Sequence, residues 1–185
     1  MSLSDEVLTL TEEHKIDPIL SGKTGVIGEG IRRIKAAGLL LPNDVVFAGV
    51  ILNKPGLHGQ FDKARVAKGV TGKNFKVHPV ISLAHDATPE TVIHEYGHFF
   101  DNQMEIARTG KEMSGAGEGY WSASQFPAWY SSEYEAYRED FAKLFAYLVL
   151  HGNTASVQVD DHKFHEWFDK SVREFASGKN TVHAR

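Results

Sequence analysis

The spacing of apolar residues along the chain predicts helices in some segments and strands in others. Residues 28–38 carry Ile31 and Ile34 on one side and end at a glycine, a pattern typical of a short helix. Residues 44–53 form an apolar run rich in β-branched side chains, which predicts a buried strand. Residues 54–74 are rich in glycine and lysine and predict a hairpin and loop.

The apolar segment at residues 75–84 predicts a second strand. Pro79 lies inside this segment and has no N–H to donate to a neighbouring strand, so we expect the strand at an edge of the sheet or interrupted by a bulge. Thr88 and Pro89 follow, and they are typical of the N-cap and first position of a helix. The helix that begins there is predicted to continue to about Arg108.

The C-terminal part of the chain is predicted to be mainly helical. Residues 109–130 form a long irregular connection, and loops of this length are usually functional. Ser132 and Glu135 have the spacing of a capping box, which predicts that a helix begins there. A last helix is expected to start near Asp160 and to pack its aromatic side chains into the core, namely Phe164, Trp167, Phe168 and Phe175.

Length and composition indicate one α+β domain. We expect an arm at residues 1–25, a lobe of residues 26–108 with a small mixed sheet and the long helix, and a helical lobe of residues 109–185. The chain has no cysteine, which excludes a disulfide scaffold and cysteine-ligated metal sites. Its net charge of −4 argues against binding to nucleic acid or to an anionic membrane. No secretion signal or membrane span is visible, so we expect a cytoplasmic protein, unless the chain is a domain of a larger phage or secreted protein.

The segment TVIHEYGHFF, residues 91–100, contains the pattern H-E-x-x-H. Positions four apart lie on one face of a helix, so His94 and His98 can bind the same metal ion. Glu95 is rotated by about a quarter-turn and can reach a water molecule that the metal activates. Zinc lowers the pKa of such a water towards ~7, so the pattern predicts a zinc site that hydrolyses its substrate with Glu95 as the general base.

The surroundings of the pattern favour a metal site over two surface histidines. A shuffled chain of this composition would contain the pattern by chance in roughly a few per cent of cases. Apolar residues flank it on both sides, so the helix is expected to be buried, where a polar triplet without a ligand is costly. Gly97 costs about 1 kcal/mol inside a helix, which the close approach of another element would offset.

A catalytic zinc site has three protein ligands and one open position, so a third ligand is needed. The extension that supplies it in metzincins is absent, because Asp101 and Met104 stand where its glycine and histidine would be. The ligand is therefore expected from the next predicted helix. Four acidic residues there are candidates: Glu133, Glu135, Glu139 and Asp140.

Among these candidates, Glu139 is favoured because it shares a helix face with Ala142 and Ala146. Such small residues would allow this helix to pack closely against Gly97 of the motif helix. Glu135 lies on the same face one turn earlier and is the second choice.

The segments HEYGHFFDN (residues 94–102) and EDFAKLF (139–145) resemble zincin-like metallopeptidases of the gluzincin type. The most similar groups are the anthrax lethal factor-like and Pro-Pro endopeptidases and the small zincin domains encoded beside phage head proteins. The resemblance covers roughly residues 75–150 and implies a zincin-like fold, zinc as cofactor, His94, His98 and Glu139 as ligands, and Glu95 as base.

The same groups commonly place a tyrosine shortly before the third ligand, where it stabilises the negative oxygen that forms on the substrate. No nearby tyrosine has the expected spacing, and Tyr134 is the first choice. Lys143 is a second departure, because many relatives have an acid there.

Three functions are compatible with these residues. The first is a zinc endopeptidase whose peptide or protein substrate lies along the edge strand predicted at residues 75–84. The second is a phage-type accessory domain in which zinc only holds the helices together, closed by a fourth protein ligand. The third is a repressor-cleaving regulatory metallopeptidase, based on a weak similarity of residues 133–137 to that group.

Other polar residues are expected to have structural roles. His162 and His165 are expected at the surface of the last helix. Asp101, one turn past His98, is expected to make a local hydrogen bond or to support the ligands.

Overall fold

The structure is a computed structural model, and it describes residues 24–43, 45–49, 56–62, 66–68, 74–76, 79–110, 119–130, 137–154 and 162–179. Its helices are α1 (Thr24–Ala36), α2 (Pro89–Thr109), α3 (Ser122–Gln125), α4 (Tyr137–His151) and α5 (His162–Ala176). Its strands are β1 (Val46–Gly49), β2 (Gly59–Asp62), β3 (Val66–Lys68), β4 (Asn74–Lys76) and β5 (Val80–Leu83). The predicted α+β class is confirmed, with most of the described residues in helices.

The strands form two small sheets. In the three-stranded sheet the order is β1-β5-β2, and β5 is the central strand. It pairs in parallel with β1, where Val80 lies opposite Val46, and antiparallel with β2, where Ile81 lies opposite Phe61. Strands β3 and β4 pair antiparallel in a separate sheet.

The prediction of one edge strand over residues 75–84 is wrong in two respects. The segment includes the last two residues of β4 and all of β5, which belong to different sheets, and β5 is central in its sheet. Pro79 explains the separation because its ring nitrogen cannot join a ladder, so it lies just before β5. Its carbonyl still accepts a hydrogen bond from the backbone N–H of Val46 at 2.8 Å.

Strand β2 lies within residues 54–74, where a hairpin and loop are expected. It forms one edge of the three-stranded sheet and contacts α2, so it is the edge strand beside the motif helix. Gly59 at its start interrupts the alternation of apolar and polar side chains, and glycine is rare in strands. The alternation of apolar and polar residues therefore does not predict this strand.

The motif helix α2 begins where the sequence predicts it. The side chain of Thr88 accepts a hydrogen bond from the backbone N–H of Thr91, the Thr91 hydroxyl accepts one from the N–H of Thr88, and Pro89 takes the first helical position. The helix ends at Gly110, whose φ of 65° is left-handed. Helix α1 begins at Thr24, four residues before the predicted start.

The helices pack around one apolar core. Helix α4 buries Phe141, Leu144, Phe145 and Leu148, and α5 buries Phe164, Phe168 and Val172 against them. Each such side chain contributes about 1.5–3 kcal/mol to folding by leaving water. The described part of α4 begins at Tyr137, so the start predicted at Ser132 lies outside the described residues, as does most of the predicted arm.

Within the part of the chain that the structure describes, no helix combines the length and the apolar character needed to cross a membrane.

Candidate metal centre

Two histidines of α2 form one side of the centre. His94 and His98 lie one helical turn apart, and their rings meet edge to face with centroids 5.0 Å apart. His98 is buried and His94 is about one-third exposed. Buried apolar residues around the motif and the contact of Gly97 with Ala142 pack this part of α2 against α4.

The third residue, Glu139, comes from the first described turn of α4. Its Oε2 atom lies 3.3 Å from His94 Nε2, and its Oε1 atom lies 3.4 Å from His98 Nε2. These three residues are the one group among the described residues whose ligand atoms could hold a metal ion together.

The contact between α2 and α4 explains why Glu139 reaches the histidines. A Cβ atom on Gly97 would lie 2.9 Å from the Cα atom of Ala142. The two helices therefore approach each other more closely than any larger residue at position 97 permits. The sequence prediction that small residues allow this approach is confirmed.

The candidate ligand atoms lie close enough together to hold one metal ion. Atoms bound at 2.0–2.2 Å with tetrahedral angles lie about 3.3–3.6 Å apart. Oε2 of Glu139 lies 3.3 Å from His94 Nε2, and Oε1 lies 3.4 Å from His98 Nε2, so each histidine has one carboxylate oxygen of Glu139 in this range. Two imidazole nitrogens and a carboxylate are also a donor set that suits zinc, so the residues present fit this ion.

The electrostatics of the centre favour a charged Glu139. The imidazoles of His94 and His98 hold the pKa of this carboxyl group far below its ordinary value. A carboxylate that stays ionised is the form that binds a cation.

Glu95 lies beside the centre in a buried position, with 7% of its surface exposed. Burial raises its pKa above the ordinary value, although the imidazoles of His98 and His94 and a hydrogen bond from the backbone N–H of Phe61 favour the charged form. A carboxyl group with a raised pKa is suited to accept and return a proton near neutral pH.

Strand β2 fixes the position of Glu95. Phe61 donates its backbone N–H to the carboxylate, and Gly59 lies against the same side chain. A Cβ atom on Gly59 would lie 2.7 Å from Glu95 Cγ and 3.0 Å from Glu95 Oε1. The strand can therefore approach Glu95 only because position 59 has no side chain.

Tyr120 is a neighbour of the centre that the sequence did not reveal. Its ring is buried and meets the His98 ring edge to face with centroids 6.3 Å apart. Burial raises the pKa of its phenol to about 12. Its proximity to His98 depends on tertiary hydrogen bonds, so no local spacing predicts it.

Hydrogen bonds from α2 hold the segment that carries Tyr120. Asn102 Nδ2 donates to the carbonyl of Gly119 at 2.8 Å, and the Trp121 N–H donates to the carbonyl of Asp101 at 3.3 Å. Ser122 donates both its N–H, at 2.8 Å, and its hydroxyl to the Asp101 carboxyl group. Asp101 therefore anchors a distant segment beside His98, which goes beyond the local hydrogen bond expected from the sequence.

The remaining predicted residues lie elsewhere or outside the described part. Tyr134, Glu133 and Glu135 are outside the described residues. Asp140 is buried and does not belong to the group that could hold a metal.

The expectation that His162 and His165 both lie at the surface is wrong for His165. It is buried, with Nδ1 3.0 Å from the Thr154 hydroxyl, which in turn donates to Asp169 at 2.6 Å. A polar network between α5 and the segment that follows α4 thus explains its burial. His162 is exposed, as predicted.

The arrangement combines three residues that could hold one metal ion with a buried carboxyl group next to them. Such a combination can activate a water molecule for attack on a polarised carbonyl group. The chain matches no protein-family model and no curated protein. The case for a function therefore depends on the geometry of His94, Glu95, His98 and Glu139.

Proposed function

We propose that the protein is a zinc-dependent endopeptidase. The observation that carries this proposal is the position of Glu139, whose two carboxylate oxygens lie 3.3 Å from His94 Nε2 and 3.4 Å from His98 Nε2, so that the three residues could hold one metal ion. Glu95 adds the second requirement of the reaction, because it is a buried proton acceptor on the next residue of the same helix.

The residues of the chain divide the chemistry among them. A zinc ion held by His94, His98 and Glu139 would lower the pKa of a water molecule and polarise the substrate carbonyl. Glu95 would accept the proton from this water as it attacks the carbonyl, and would then donate that proton to the departing amine. The hydrogen bond from Phe61 keeps the Glu95 carboxylate oriented for both transfers.

The substrate would lie along β2 and not along residues 75–84. The N–H of Ala84 donates to the carbonyl of His58 at 2.8 Å, so the alternation of an antiparallel ladder turns the backbone groups of Gly59 and Phe61 away from β5. The hydrogen bond from Phe61 to Glu95 agrees with this direction. Because the Phe61 N–H is taken by Glu95, an extended peptide could pair on this side of β2 with the backbone groups of Gly59 and the carbonyl of Phe61, and present its own carbonyl to the centre.

A zincin-like fold of the gluzincin type belongs to the same proposal. It is supported by the edge strand β2 beside the helix with the H-E-x-x-H pattern, and by a third candidate ligand on a later helix.

The other two functions have less support. A purely structural zinc site would have a fourth protein ligand, and the candidate group comprises three residues within the described ranges. The similarity to repressor-cleaving peptidases rests on residues 133–137, of which the structure describes Tyr137 alone.

The test compares wild type with Glu95→Gln on a random peptide library, both loaded with one equivalent of zinc. The proposal predicts zinc binding by both proteins and cleavage by wild type, with the Glu95→Gln rate lower by at least about a hundredfold. A zinc-loaded wild type that cuts no peptide, or a Glu95→Gln variant that cuts equally fast, would contradict it. Lys170→Gln, an exposed change on α5, serves as the control.

A further inference from the structure

Arg138 differs from the other arginines of the described part in what it contacts. Four arginines each donate to an oxygen of a carboxylate or a backbone carbonyl, namely Arg32, Arg33, Arg108 and Arg173. Arg138 has no such acceptor among the described residues. Its guanidinium carbon lies instead 5.8 Å from the centre of the Tyr120 ring.

This guanidinium group lies at the rim of the metal centre. Arg138 is exposed and directly precedes Glu139 on α4, and the Tyr120 ring below it touches the ring of His98. The three side chains therefore form a continuous wall on the helical side of the centre. An extended peptide advances about 3.3 Å per residue, so a group a few residues from the reacting carbonyl can reach this wall.

The chemistry of the pair suits a carboxylate. A guanidinium group stays charged at all relevant pH values, and its N–H edge binds a carboxylate through two parallel hydrogen bonds. The face of Tyr120 supports the group through a cation–π contact without using that edge.

We propose that Arg138, supported by Tyr120, binds a carboxylate of the substrate and makes the enzyme prefer acidic peptides. This inference rests on the proposed peptidase function and specifies its substrate class. The carboxylate is either an aspartate or glutamate side chain or the C-terminus of the peptide.

Acidic groups nearby limit where the substrate carboxylate can lie. Asp62 lies at the end of β2, and its negative charge contributes to the raised pKa of Tyr120. Its carboxylate also accepts a hydrogen bond from Gln60 Nε2 at 3.3 Å. Glu139 is directed at the histidines. Repulsion by Asp62 confines the substrate carboxylate to the side of the centre formed by α4. Removing that charge by Asp62→Asn should therefore strengthen the preference for acidic peptides.

Affinity selection tests the inference without turnover. Zinc-loaded protein with Glu95→Gln, which leaves peptides uncut, is mixed with random heptapeptides that carry either a free or an amidated C-terminus. We expect the bound fraction to be enriched about fivefold in acidic side chains or in free C-termini. The two peptide sets show which source of carboxylate is bound.

The variants decide whether Arg138 causes the enrichment. Adding Arg138→Gln should abolish it, Arg138→Lys should retain a part of it, and Lys170→Gln, the matched loss of one exposed positive charge, should leave it intact. Absence of enrichment, or enrichment that survives Arg138→Gln at equal zinc content, overturns the inference. If acidic peptides are enriched but wild type never cuts them, the result would support carboxylate binding by Arg138 and contradict the peptidase function.

Discussion

Gly97 of α2 and Ala142 of α4 are in direct backbone contact, since a Cβ atom on Gly97 would lie 2.9 Å from Ala142 Cα. The contact lies one residue before His98 and three residues after Glu139. It therefore sets the distance between the candidate ligands on the two helices. Glycine is unfavourable in a helix by about 1 kcal/mol relative to alanine, so its presence here reflects this approach.

Replacing Gly97 with alanine should weaken zinc binding and stability together. The added methyl group would force α4 away from α2 and move Glu139 from the histidines. We expect a loss of about 1–3 kcal/mol in the free energy of unfolding and at least about a tenfold loss in zinc affinity. Urea unfolding and zinc titration measure the two effects.

Gly25→Ala is the control for this experiment. Gly25 also lies in a helix, α1, but a Cβ atom there would meet no atom within 4 Å. The substitution should be neutral or slightly stabilising and should leave zinc affinity unchanged. If Gly97→Ala behaved in the same way, the close packing would not position Glu139.

Gly59→Ala should separate catalysis from metal binding. The new Cβ atom would lie 2.7 Å from Glu95 Cγ and would displace the carboxylate from the N–H of Phe61. We expect kcat to fall by about tenfold or more, because the base is misplaced, while zinc affinity stays within about twofold. Gln60→Ala, an exposed change on the same strand, should preserve kcat. An unchanged kcat in Gly59→Ala, or a fall in kcat matched by an equal fall in zinc affinity, would argue against this role of Gly59.

Asp101 should make stability depend on pH. Burial raises its pKa to about 8, whereas an aspartate in the unfolded chain titrates near ~3.9. Between these values the folded protein holds a proton that the unfolded chain has released, so the free energy of unfolding should fall as the pH rises from about 4 to about 8.

Asp101→Asn tests this expectation because asparagine cannot ionise and still accepts the Ser122 N–H. Urea unfolding of the metal-free proteins at several pH values should show a shallower slope for the variant. Identical slopes for the two proteins would contradict the proposed titration.

Zinc removal should destabilise the protein by an amount set by the metal concentration. At free zinc about 100-fold above the dissociation constant, binding adds about 2.7 kcal/mol to the free energy of unfolding. A chelator should abolish this increment. In Glu139→Gln the increment should be much smaller, while Glu166→Gln, an exposed acid on α5, should keep it. Equal zinc effects in both variants would exclude Glu139 as a ligand.

The sequence predicts those features that depend on neighbours along one helix. Thr88 and Pro89 mark the start of α2 because capping is local, and the alanine at position 142 indicates the contact with Gly97 because helix faces repeat regularly. The sequence also favours Glu139 over Glu135 as the partner of His94 and His98, because Glu139 shares a helix face with Ala142 and Ala146.

The sequence fails where the structure depends on contacts between distant segments. The sequence pattern does not indicate β2, because Gly59 does not favour a strand and its contact with Glu95 is visible only in the structure. Tyr120 reaches the centre through hydrogen bonds from Asp101 and Asn102, and His165 is buried because of its contact with Thr154. Hydrogen bonds between distant residues leave no periodic signal in the chain.

Anomalous diffraction at the zinc edge, from crystals grown with zinc, tests the central claim most directly. We predict one zinc ion at about 2.0–2.2 Å from His94 Nε2, His98 Nε2 and a carboxylate oxygen of Glu139, with its fourth position open towards Glu95. Zinc bound without Glu139, or a fourth protein side chain closing the site, would contradict a catalytic centre in this protein.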